Sequence, residues 1–136
     1  MSSIKTTLEG SVRYRGAEGQ LGFLLHRISG LGTILFLTIH ILDTSLVYFF
    51  PSLYNHAMAI YRSVPFMLGE IVLVFMVLFH GANGVRIALF DLFPHWWKET
   101  RQKRSIYWVL GLAVLLWLPA AYLMGRKLIQ HTILGG

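Results

Sequence analysis

The sequence predicts an all-α membrane protein of three transmembrane helices, with the N-terminus inside and the C-terminus outside. Composition is the first observation. Of 136 residues, 55% are hydrophobic and only 13% are charged, too few charges to coat a soluble globule of this size. Mean hydropathy is +0.59. Patterning is the second: three apolar runs each exceed the roughly 18 residues that cross a bilayer as a helix. Charge placement is the third, because the basic residues gather on one side of those runs.

The chain reads as a single membrane-anchor domain over 1–136, opening with an inner tail, 1–21. The first helix covers about 22–50. The spacer "FPSLYNHAMAIYRSVP" follows, bracketed by Pro51 and Pro65. The second helix covers about 65–93. It runs into "PHWWKETRQKRS", where Trp96 and Trp97 suit the headgroup layer and a basic cluster follows. The third helix covers about 106–129. Pro119 falls inside it and should kink it, which is tolerable where neighbouring helices satisfy the freed carbonyl.

Lys5, Arg13, Arg15, Arg27, Arg86, Lys98, Arg101, Lys103 and Arg104 lie on one side of the spans. Arg62, Arg126 and Lys127 lie on the other. Nine against three sets the N-terminus inside. The net charge of +6 follows from this bias, and no separate basic domain implies a nucleic-acid partner. With no cysteine, the chain can form neither a disulfide nor a thiolate-held metal or iron–sulfur site. The first twenty residues match neither a signal peptide nor a transit peptide. Little chain remains outside the apolar runs for a soluble catalytic domain.

Ionisable groups inside membrane helices are costly and point to a site. In "LHRISGLGTILFLTIHILD", His26 and His40 are 14 residues apart. They therefore lie within roughly 40° of one another on the helix and about 21 Å apart along it. Ser29, Gly30, Thr33, Leu37 and Thr44 share that stripe, so the face should meet protein or a cofactor. In the second helix His80 sits far from both ends, with Gly81, Asn83 and Gly84 around it. An imidazole flanked by glycines offers a neutral nitrogen ligand with room for a flat porphyrin. Bland readings stand beside these. A membrane histidine can simply hydrogen-bond a neighbouring helix, and His26 with Arg27 can snorkel to headgroups. Asp43 and Glu70 read as capping or pairing groups, and His56, His95 and His131 as surface residues.

At "LLHRISG" and "HGANGVRIALFD" the sequence resembles the cytochrome b membrane-anchor subunit of succinate dehydrogenase (respiratory complex II) and its fumarate reductase relatives. The family pattern is His-Arg-x-(Ser/Thr)-Gly in the first helix, then His-x-x-x-Gly-x-Arg and a following Asp in the second. Here these are His26, Arg27, Ser29 and Gly30, then His80, Gly84, Arg86 and Asp91. The resemblance covers nearly the whole chain. It implies a bundle shared with a second membrane-anchor subunit, in which His80 is an axial ligand of haem b. His26 and Arg27 would reach the haem propionates. Ser29, Arg27 and Asp91 would lie near a quinone pocket against the iron–sulfur subunit.

Two departures bear on the cofactors. Phe23 stands where ubiquinone-binding members often carry a serine, so menaquinone is favoured over ubiquinone. His40 stands where two-haem members carry a ligand, so the resemblance implies a second haem, with His40 and His80 as the metal-ligating residues. Ligation of one haem by His40 and His80 together stays open at this stage. The implied function is passing electrons from the iron–sulfur subunit to quinone in a succinate:quinone oxidoreductase. The chain would be a non-dehydrogenase subunit, partnered by the flavoprotein, the iron–sulfur subunit, a second anchor, quinone and lipid, in a prokaryotic plasma membrane. A trimer of such complexes stays open. The rivals are the b-type anchor of another respiratory oxidoreductase and a haem-free helical scaffold.

Overall fold

The structure, a computed structural model, describes residues 18–133. Four α-helices follow one another: α1 Glu18–Phe49, α2 Pro51–Tyr61, α3 Val64–Leu92 and α4 Glu99–Ile133. A single 3-10 turn, Pro94–Trp96, joins α3 to α4. Three of the helices, α1, α3 and α4, are long and apolar enough to cross a membrane. The three-span, all-α expectation therefore holds. Lys5, Arg13 and Arg15, on which part of the charge count rests, lie outside the described residues.

The helix boundaries differ from the sequence expectation in two places. The first spacer is largely helical, because α2 occupies Pro51–Tyr61. Its proline supplies a preset φ at the first helical position, while the same ring pushes Phe50 to φ −146° and ψ 73°, which ends α1. The second spacer is short, because α4 begins at Glu99 and not at 106. Phe93, ahead of Pro94, takes φ −122° and ψ 72° and ends α3 in the same way. As expected, Pro119 lies inside one continuous helix, α4. The proline removes one backbone donor, and the thirty-odd residues around it keep the helix continuous. At 35 residues α4 is about 52 Å long, so its basic first turns extend past a hydrocarbon core of about 30 Å.

Helix α3 is the central element, with α4 on one side and α1 on another. Phe79, Phe90, Ile106 and Ala113 form the small buried apolar core. The Trp117 indole N–H donates to the backbone carbonyl of Ile71 at 2.8 Å, tying α4 to α3 at depth. Its ring meets Phe75 edge-on. The Trp97 indole donates to the Phe90 carbonyl at 3.2 Å and satisfies one of the last acceptors of α3. Ile106 closes over Gly22, where α4 meets α1. Most large apolar side chains remain exposed, as expected of helices whose outer faces meet lipid or another subunit.

The α2 helix is tied back to α1 by one polar contact. The Tyr61 hydroxyl donates to the Asp43 carboxylate. That bond, with some burial, pushes the Tyr61 phenol up to about 12.

Candidate functional site

The crossing of α1 and α3 brings two of the three intramembrane histidines together. The rings of His26 and His80 stack with centroids 4.1 Å apart and planes 4° from parallel. Glycine makes this approach possible. A Cβ at Gly30 would lie 2.7 Å from His80 Cε1, and one at Gly32 would lie 2.5 Å from the Met76 sulfur. His80 and Met76 are one turn apart on α3, so α3 lays both side chains into the groove that these glycines open in α1.

Hydrogen bonding sets the state of the His80 ring. Nδ1 lies 3.1 Å from the backbone carbonyl oxygen of His26 and 3.4 Å from Ser29 Oγ. A carbonyl oxygen only accepts, so Nδ1 carries the proton. The Ser29 hydroxyl itself donates to the His26 carbonyl at 3.0 Å. In the neutral ring, Nε2 is then left with a free lone pair, and none of the hydrogen bonds among the described residues uses it. His26 is the reverse case: its Nδ1 is buried and has no hydrogen-bond partner among the described residues.

The other predicted site residues separate into two groups. Gly84 belongs with the imidazole pair, since a Cβ there would sit 3.9 Å from His26 Cε1. Ser29 is buried, 4% exposed, beneath the His80 ring. Arg27 is exposed and lies over the Phe23 ring at 5.4 Å. Arg86 turns towards α4, donating from Nε to Asn83 Oδ1 at 2.8 Å and from Nη1 to Ser105 Oγ at 3.2 Å. Asp91 is exposed in the last turns of α3. His40 is exposed and stacks on Phe36 at 5.4 Å.

One alternative left open by the sequence is removed. His80 packs at the level of His26, so about 21 Å of helix separates it from His40 along α1. A single haem iron cannot bridge that span, and the two histidines of one chain do not share it. The helix crossing decides this, and helical spacing within each segment could not.

In the sequence Asn83 stands out only as a small neighbour of His80. It is 1% exposed and positions Arg86. The spacing of three between Asn83 and Arg86 was the signal available for that pairing. Ser105 and Trp117 carried no local signal, because their partners lie on another helix.

A family model described as "Succinate dehydrogenase/Fumarate reductase transmembrane subunit" matches residues 7–120. The chain belongs to this family. It is also similar to a Mycobacterium tuberculosis protein, the succinate dehydrogenase 2 membrane subunit SdhC. The two are 36% identical over 119 residues, covering 87% of this chain and 85% of that protein. The chain is thus a multi-pass transmembrane subunit of the succinate dehydrogenase and fumarate reductase family.

For a subunit of this family the resemblance implies a b-type haem, and the residues present fit one. Ligating histidines usually donate their second ring N–H to a carbonyl or carboxylate, which orients the ring and raises its basicity. His80 has that arrangement, with Nε2 left as the donor atom. Among the described residues no three His, Asp or Glu side chains converge on a metal position. Of the two stacked imidazoles, His80 is the residue that would hold such a group.

Proposed function

We propose that this transmembrane subunit is the haem b-containing anchor of a succinate:quinone oxidoreductase, in which His80 would hold the haem iron. The observation that carries the reading is the Nδ1 contact from His80 to the His26 carbonyl at 3.1 Å, because it leaves Nε2 as the ring nitrogen open to a ligand. Bound haem would supply a one-electron relay beside quinone reduction. The chain's own residues hold and orient. Ser29 and the His26 carbonyl fix the His80 ring, and Gly30 gives it space. His26 Nδ1 is a buried donor or acceptor in want of a partner, suited to a propionate carboxylate. Arg27 offers a charge-assisted bond at the same level. Gly84 leaves a flat surface beside them.

In this reading electrons reach quinone from an iron–sulfur subunit at the inner edge, near Arg27 and Asp91. The flavoprotein performs the dehydrogenation. Menaquinone is the favoured acceptor, because Phe23 presents an apolar, half-exposed ring where a hydroxyl would serve ubiquinone. A second anchor subunit covers the exposed apolar faces and would supply a further ligand. The N-terminus lies inside a prokaryotic plasma membrane. His40 ligates a second, distal haem; its exposure leaves the ring available to another subunit.

Haem content measured by pyridine haemochrome against flavin, on the purified complex and on His40→Ala, tests this directly. Two haems per flavin in the parent and one in the variant support the whole reading. One in both reduces His40 to a packing residue, and none in the parent leaves a haem-free scaffold.

A further inference from the structure

Arg86, Arg101 and Arg104 line one open groove of about 430 Å³ between the last turns of α3 and the first turns of α4. That volume is within the range of about 300–1,000 Å³ typical of small-molecule sites. The groove is distinct from the imidazole pair. Leu89, on its wall, is nine residues from His80, so the two side chains point about 180° apart on α3.

Polarity is ordered along the groove. The two helices run antiparallel, so Leu89 and Arg101 mark the end nearest the interhelical turn. Arg86 and Arg104 come about one turn deeper. Val85 and Trp108 line the part deeper still, within the apolar spans. The three arginines thus stand towards the interhelical turn, where Phe90 and Trp96 also line the groove, and the rest of its wall is apolar. Arg86 is fixed at the wall by Asn83 and Ser105, both neutral, so its charge is oriented but not compensated. Among the described residues no carboxylate pairs with any of the three guanidiniums. Glu99 is engaged with Lys103 at 3.1 Å, and Asp91 lies about 200° round α3 from Leu89. Trp108 is 73% exposed.

We propose that this groove seats one anionic phospholipid of the surrounding leaflet. Its phosphodiester is held by Arg86, Arg101 and Arg104, and an acyl chain runs along Val85 and Trp108. Guanidinium forks match phosphate oxygens, and the apolar half of the groove favours a tethered chain over a free anion. The proposal rests on the membrane spans and this charge order, and it is independent of haem or quinone.

The test uses the intact membrane complex, delipidated in detergent and titrated with phosphatidylglycerol or phosphatidylcholine, with bound lipid counted by native mass spectrometry. The parent should retain one more phosphatidylglycerol per copy of this chain than phosphatidylcholine. The double variant R101Q/R104Q should bind it about 25-fold more weakly, from about 1 kcal/mol per removed cation at 1.4 kcal/mol per decade. R126Q/K127Q, at the far end of α4, should bind as the parent does. Val85→Trp fills the apolar half without touching a charge and should also remove the lipid, which guards against misfolding of the double variant. Binding at parental strength in both R101Q/R104Q and Val85→Trp would overturn the proposal. So would displacement by an equal concentration of inorganic phosphate, which would reveal a bare anion site. A photoreactive residue at position 89 should label lipid in the complex; labelling of a partner subunit instead would assign the groove to a protein contact and overturn it.

Discussion

His80 donates from Nδ1 to the backbone carbonyl of His26, 3.1 Å away, while the two imidazoles stack at 4.1 Å. One contact therefore serves two purposes. It clamps α3 to α1 where glycines let them close, and it engages His80 Nδ1 while Nε2 is left without a hydrogen-bond partner among the described residues. In the proposed reading, a helix-packing interaction also orients the imidazole that would hold haem.

His80→Ala should remove one haem per flavin, since a methyl group cannot donate a lone pair to iron. Pyridine haemochrome analysis of the purified complex checks this. Full occupancy in the variant would sink the assignment of His80.

Gly30→Ala should disturb the site more than Gly84→Ala. The added Cβ at position 30 meets His80 Cε1 at 2.7 Å, whereas the one at 84 meets His26 Cε1 at an ordinary 3.9 Å. Overpacking of this kind costs about 1–3 kcal/mol, so Gly30→Ala should lower both thermal stability and haem occupancy. Gly84→Ala should leave stability within about 0.5 kcal/mol and lower haem occupancy alone. Unchanged haem in Gly84→Ala would take Gly84 out of the cofactor surface.

Arg27→Ala should lower quinone reductase activity severalfold and leave dye-linked succinate oxidation intact. Arg27 is exposed, and its one ring contact, with Phe23 at 5.4 Å, holds no helix in place. Equal losses in both assays would point to failed assembly and not to a lost quinone or propionate contact.

Tyr61→Phe should weaken the α1–α2 connection by about 1 kcal/mol through loss of the hydrogen bond to Asp43. The phenol is pushed from 10.0 up to about 12 by that bond. A raised value favours the protonated, donating form in the folded state. Its contribution is thus complete below pH 10 and lost between about 10 and 12. The Tyr61→Phe difference in Tm should therefore be the same at pH 6 and pH 9. A difference that changes over that interval would contradict a phenol donating to a carboxylate.

Much of the architecture was legible because it rests on local physics. Length and apolarity of a run decide whether it can span a bilayer, and all three spans were readable from that. The helix at Pro51–Tyr61 was less visible. Prolines at both ends of the segment suggest a break, yet a proline at the first position of a helix starts one as readily as it ends the one before. The early start of α4 was hidden for a related reason: "KETRQKRS" is polar and outside the apolar run, but its residues are good helix formers.

By itself the sequence determined that this is a three-span membrane protein and which polar residues stand inside it, since both follow from the cost of placing charge and bare backbone in hydrocarbon. Which of those residues meet was decided only by the helix crossings. The close approach at Gly30 put His80 beside His26 and left His40 a further 14 residues along α1. The antiparallel pairing of α3 with α4 gathered Arg86, Arg101 and Arg104 into one groove, though 15 and 18 residues separate the first from the others. Such contacts depend on the angle and depth at which rigid rods meet, and that is settled by interlocking side chains distant in sequence.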